Sequence, residues 1–153
     1  MRENTEMPTL NLEHVACNVA DPPAMAAWYV KHLGMRIVRH APEPSQVHFL
    51  ADAAGRAVIE IYRNAGDAIP DYAAMNPIRF HIAFAAGDPD ASRAALVAAG
   101  ATFVEERTMA DGSRLLMLRD PWGLPLQLCK RPASVPFTGS WWAIRRRHRE
   151  MCG

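Results

Sequence analysis

The 153-residue sequence predicts an α+β fold built from two βαβββ units related by a pseudo-two-fold axis. Two observations carry that prediction. Shifted by 67 residues, the chain overlays on itself: His14 falls on His81, Asp21-Pro22 on Asp88-Pro89, Ile59 on Leu126, Glu60 on Gln127, Ile61 on Leu128 and Arg63 on Lys130. A repeat at one fixed offset marks a duplicated supersecondary unit. In addition, each copy opens with a short alternating run, LEHVACNV from Leu12 and RFHIAFA from Arg79, the period-two pattern of a strand.

The other elements follow in order. Each opening strand is followed by Asp-Pro. The aspartate side chain accepts from free backbone amides at a helix start, and proline is tolerated in the first turn, so Asp21 and Asp88 are expected N-caps. The alanine-rich segments Pro23 to Leu33 and Asp90 to Ala99 are the expected helices, stopped by Gly34 and Gly100. Three more strands complete each unit: about 35–40, 46–51 and 57–63 in the first, then 102–109, 113–119 and 124–129 in the second. Gly55 and Asp111-Gly112 supply the hairpin turns. The first unit spans about 11–63 and the second about 78–131, joined by a linker over 64–77 that contains a glycine and two prolines. Residues 1–131 are read as one domain and 132–153 as a C-terminal extension.

Composition narrows the function classes. Half the residues are hydrophobic and the formal net charge is +1, which excludes disorder and gives no general attraction to nucleic acid or an acidic membrane. Cys17, Cys129 and Cys152 show neither a disulfide framework nor a zinc spacing, so a reducing compartment is expected. The N-terminus has no apolar core of signal-peptide length and no later run approaches a membrane span, so the expected location is cytoplasmic. The tail segment SWWAIRRRHRE pairs tryptophans with basic residues, but the rest of the chain carries no basic stripe. It is read as a solvated or dimer-packing helix rather than a nucleic-acid contact.

Alternate strand residues point to opposite faces, which sorts the repeat-bearing strands. Val15, Cys17, Val19, Ile59, Ile61, Phe80, Ile82, Phe84, Leu126 and Leu128 share an apolar face expected beneath the helices. The opposite parity carries His14, Asn18, Glu60, Tyr62, Arg79, His81 and Gln127. On a one-sided sheet such residues would simply meet water. Solvation does not, however, call for a histidine on the first strand of each half and a carboxylate or its amide isostere 46 residues later. About a two-fold axis, His14, Glu60, His81 and Gln127 would converge, a set that suits a divalent first-row metal with positions left for water or substrate. Glu60 needs a metal, Arg79 or a ligand as its counter-charge. Asn18, Tyr62 and Arg79 are candidate pocket residues. His32, His40 and His48 lack repeat partners and are read as structural, and Cys129, without a neighbouring base motif, is not proposed as a nucleophile.

Over about Leu12 to Arg131 the chain resembles the vicinal-oxygen-chelate superfamily, which includes glyoxalase I, methylmalonyl-CoA epimerase, extradiol dioxygenases and metal-free bleomycin-binding proteins. LRDPWGLPLQL from Leu118 is similar to the family's closing Asp-Pro-x-Gly turn and last ligand strand, and LEHVACNV and RFHIAFA resemble its histidine-bearing first strands. The resemblance implies a glyoxalase-like open barrel, a small-molecule substrate, a homodimer and metal positions at His14, Glu60, His81 and Gln127. The ion would be Fe, Mn, Ni, Co or Zn. Gln127 departs from the glutamate that many members carry there, which shifts any proton-moving role onto Glu60 or another base. Three functions are implied: a metal-dependent lyase or isomerase, an Fe(II) dioxygenase, or a metal-free binding or sequestering protein.

Overall fold

In a computed structural model, residues 10–55 and 57–133 are described. The tail from residue 134, with its tryptophans and Cys152, lies outside them. Contacts divide the chain into two compact units, with the boundary between Pro70 and Asp71, inside the expected linker.

Unit 1 runs β1 (Val15–Asn18), α1 (Pro22–Leu33), β2 (Arg36–His40), β3 (His48–Ala51) and β4 (Ala57–Tyr62). Unit 2 repeats the order as β5 (Ile82–Ala85), α2 (Pro89–Ala98), β6 (Thr102–Thr108), β7 (Arg114–Arg119) and β8 (Pro125–Lys130). The sheets are ordered β1-β4-β3-β2 and β5-β8-β7-β6, each with one parallel pair between its first and last strand. Two βαβββ units are therefore present, as the repeat predicts.

Both helices start as the Asp-Pro pairs dictate. Asp21 Oδ1 accepts from Ala24 N at 3.0 Å, and Asp88 Oδ1 accepts from Asp90 N and Ala91 N at 3.1 and 3.0 Å. Helix α1 ends at Gly34, whose φ of 67° is the left-handed C-cap. It turns Met25, Ala26 and Tyr29 inward at helical spacing, against β3 and β4. Arg114 ties α2 to the sheet of unit 2: its guanidinium takes both carboxylate oxygens of Asp90 and also reaches Glu106, and it holds the Asp90 carboxyl below the ordinary carboxylate range.

The apolar face behaves as expected over most of its length. Cys17, Val19, Ile59, Ile61, Leu126 and Leu128 are buried, while Phe80, Ile82 and Phe84 are half-buried and Val15 is exposed. The opening strands begin later than the alternation suggests. Their ladders start at the pairs Val15–Ile59 and Ile82–Leu126, so both histidines precede their strands by one residue. In unit 2 the reason is visible. His81 would oppose Pro125, which has no N–H to offer, and Asn76 folds the preceding residues into a turn by accepting from Ile78 N and Arg79 N. Arg79 thus lies in a turn rather than on a strand. Strands β2 and β6 each carry a register shift, between Ile37 and Arg39 and between Phe103 and Glu105.

The Asp-Pro-Trp-Gly turn closes unit 2. Asp120 Oδ1 accepts from Trp122 N and Leu124 N, both at 2.9 Å. Arg119 donates to the carbonyls of Tyr72, Gly123 and Met75, binding the second half of the linker to this turn. Gly123 has φ of 87°, and a Cβ there would stand 2.8 Å from Ala73. Left-handed strain and the forced shift of Ala73 together set the cost of Gly123→Ala at about 2–4 kcal/mol. Gly87→Ala, which meets no atom within 4 Å, should stay within about 0.5 kcal/mol of wild type. Urea unfolding of both variants checks the contrast.

Candidate functional site

The parallel ladder of unit 1 pairs Ala16 with Glu60, and the next two strands add Phe49 and then Arg39 opposite. Residues directly opposite share a face, so Ala16, Glu60, Phe49 and Arg39 form one row across the sheet of unit 1. His14, two residues before Ala16, joins it. Its Nε2 lies 3.1 Å from Glu60 Oε2, its Nδ1 contacts the Glu13 carboxylate, and its ring meets Phe49 edge-on with centroids 5.4 Å apart. The His14 and Glu60 side chains retain 33% and 19% of their exposure, enough for a small molecule to reach them.

An imidazole set between two carboxylates favours its protonated form. The hydrogen bond to Glu13 is the largest cause and raises the His14 pKa; desolvation, next in size, opposes it, and the charges of Glu13 and then Glu60 add to the rise. The counter-charge that Glu60 requires is therefore His14, from its own unit. Arg79, the residue the sequence offers for that role, belongs to unit 2 and is exposed.

The matching positions of unit 2 are arranged differently. His81 Nδ1 lies 2.8 Å from the Pro77 carbonyl, which accepts its proton and leaves Nε2 as the nitrogen with a lone pair. Gln127, paired with Ala83 as Glu60 is with Ala16, accepts at Oε1 from the Cys129 thiol at 3.1 Å. Burial pushes the Cys129 pKa up, keeping it a thiol donor rather than a nucleophile. Asn18 shares the His14 parity, but its carbonyl oxygen accepts from Asn64 N at 2.9 Å and fixes the start of the linker. Tyr62 is half-buried beside it. His48 bonds the Gln46 carbonyl and stacks on His40, and His32 lies against Trp28, all away from the His14 row.

Two site residues escaped the sequence reading of the face, Phe49 and Arg39. The Gly55 hairpin places Phe49 opposite Glu60, so its position was available from turn and spacing. Arg39 owes its place to the register shift in β2, which no residue pattern announces. Among the described residues no three His, Cys, Asp or Glu side chains gather as a metal cluster.

The raised His14 pKa has a signed consequence. The associated stability is fully present below the unfolded imidazole value of about 6.5 and is lost as pH rises through the higher folded value. An NMR titration should place His14 above an ordinary imidazole. Glu13→Gln should lower it more than Glu60→Gln, and the reverse order would overturn the assignment of Glu13 as the main cause.

The comparisons with known proteins agree with this architecture. The profile of the Glyoxalase-like domain family matches residues 14–129. A search of curated proteins finds no match. Among solved structures, a glyoxalase family protein from Enterococcus faecalis is 26% identical, with 78% of this chain and 96% of that one covered and a TM-score of 0.58. A glyoxalase family protein from Bacillus cereus shares the fold at a TM-score of 0.70 with 17% identity, over 83% and 97% of the two chains. A glyoxalase/bleomycin resistance protein/dioxygenase superfamily member from Sphaerobacter thermophilus does so at 0.58 with 17% identity, over 80% and 98%. With the family profile spanning both βαβββ units from His14 to Cys129, the chain belongs to the glyoxalase-like domain family of the vicinal-oxygen-chelate superfamily.

Proposed function

We propose that the chain is a metal-dependent enzyme of the glyoxalase type, a lyase or isomerase acting on a small substrate through two adjacent oxygens. The observation that carries this reading is the 3.1 Å contact between His14 Nε2 and Glu60 Oε2, which sets an imidazole and a carboxylate on one partly open face. Such a pair is suited to taking and returning a proton.

The donors of each unit, taken by itself, are of a kind that suits a divalent first-row ion. Unit 1 offers the His14 imidazole and the Glu60 carboxylate, and the equivalent donors of unit 2 are His81 Nε2 and Gln127 Oε1. His81 has the second contact typical of a ligating imidazole, its other nitrogen held by a carbonyl. A proton and an ion compete for the same His14 lone pair, so loading would release the proton His14 shares with its carboxylates. When bound, the ion supplies Lewis-acid polarisation of the substrate oxygens. Glu60 would move the substrate proton, Glu13 would orient His14, and Phe49 would wall one side against water. The partner chain of the proposed homodimer would appear as a doubled mass in light scattering.

A second reading, a metal-free binding protein, is favoured by one specific observation. His14 is bonded by carboxylates at both nitrogens and Gln127 by the Cys129 thiol, so these polar groups have protein partners without an ion. Elemental analysis of protein purified without a histidine tag separates the two. The enzyme reading expects about one ion per chain, lost in a His14→Ala, His81→Ala variant. Background metal in both proteins would overturn it and leave the binding protein.

A further inference from the structure

We infer that Arg39 is the anion-recognition residue of the His14 row, and that the ligand taken there carries a carboxylate at one end and its reacting oxygens at the other. This rests on the reading of His14 and Glu60 as the reacting end. It adds the class of substrate, a small monocarboxylate.

The first support is placement. Register puts Arg39 on the same face as Glu60, two strands away, with Phe49 between them. The Arg39 guanidinium carbon stands 5.5 Å from the Phe49 ring centre, and the His14 ring lies 5.4 Å from the same ring. The aromatic side chain therefore braces both functional groups, and its quadrupole holds the cation over the face. Guanidinium and imidazole are at most about 11 Å apart. With a contact of about 3 Å at each end, they leave room for a ligand of at most about 5 Å between carboxylate and reacting atoms.

The second support is that the guanidinium is uncommitted. Arg63 donates to the Ala20 carbonyl, Arg119 to three carbonyls, and Arg93, Arg107 and Arg114 to carboxylates. Among the described residues Arg39, Arg36 and Arg79 form no ion pair, and of these three Arg39 is the one that stands over Phe49. Its fork of donors is free for a planar carboxylate in the bidentate geometry that arginine favours.

Charge also sets the direction of binding. In the ion-free chain Glu13 and Glu60 flank His14 and repel an anion at that end, while Arg39 attracts one at the other. A monocarboxylate is thus steered with its tail on Arg39 and its polarisable oxygens toward Glu60.

Levulinate, a carboxylate with a ketone three carbons away, and its uncharged methyl ester are suitable probes, followed by calorimetric titration on the full chain. The acid should bind at least tenfold more tightly than the ester. Arg39→Gln should abolish that preference while the His14 NMR titration and the metal content stay as in wild type, and Arg39→Lys should keep part of it. Equal affinity for acid and ester, an unchanged preference in Arg39→Gln, or no binding of either probe would overturn the proposal. Background metal together with an intact Arg39-dependent preference would instead sink the metal-enzyme reading and leave the anion site standing.

Discussion

The parallel ladder between the first and last strand of each unit determines where every other polar residue falls. Because the helix and two further strands lie between these partners in sequence, the ladder brings together residues that start 44 positions apart, Ala16 with Glu60 and Ala83 with Gln127. Side-chain period then does the rest. Once Ala16 faces away from α1, Glu60, Phe49 and Arg39 must face away as well, and a slip of one residue would send all of them into the apolar layer. The apolar parity of Cys17, Ile59 and Ile61 is what forbids that slip. The polar row of unit 1 is therefore held in place by burial on the opposite side of the same sheet.

Much of this was legible in the sequence because the signals were local or repeated. Asp21 and Asp88 announced the helix starts through their capping chemistry, and the 67-residue offset announced the duplicated topology. The pairing of His14 with Glu60 followed from parity, since both belong to the same face. What escaped was set by tertiary detail. The starts of β1 and β5 depend on where the ladder can form, and Pro125 limits it in unit 2. The place of Arg39 depends on a shift within β2. The sequence offers a metal, Arg79 or a ligand as the counter-charge of Glu60 and does not single out the imidazole beside it, which reaches the carboxylate from the end of the neighbouring strand. Asn18, correct in parity, is occupied with the backbone of Asn64.

The two units show how one plan diverges electrostatically. In unit 1 the last-strand position is a carboxylate, and the histidine beside it is drawn toward its protonated form by Glu13 and Glu60. In unit 2 the same position is an amide whose oxygen takes a thiol proton, and the histidine turns its Nδ1 to a carbonyl. Two exchanges separate the halves, although strand order and register are the same: Glu13, the main cause of the raised His14 pKa, is replaced by Phe80, and Glu60 by the amide Gln127. The contact between imidazole and carboxylate lies in unit 1, and at the equivalent strand position unit 2 presents a neutral amide.

The register shifts in β2 and β6 affect how the protein behaves in a crowded solution. Each of these strands ends its sheet and carries exposed apolar residues, Ile37 and Val38 in one, Phe103 and Val104 in the other. A straight edge of that composition would offer its free N–H and C=O groups as a template for another chain. The shift bulges the strand and sharpens its twist, and Arg36 and Arg39 or Glu105 and Arg107 place charges beside the apolar pairs. The same irregularity that moves Arg39 into line with Phe49 also makes the edge a poor seed for aggregation.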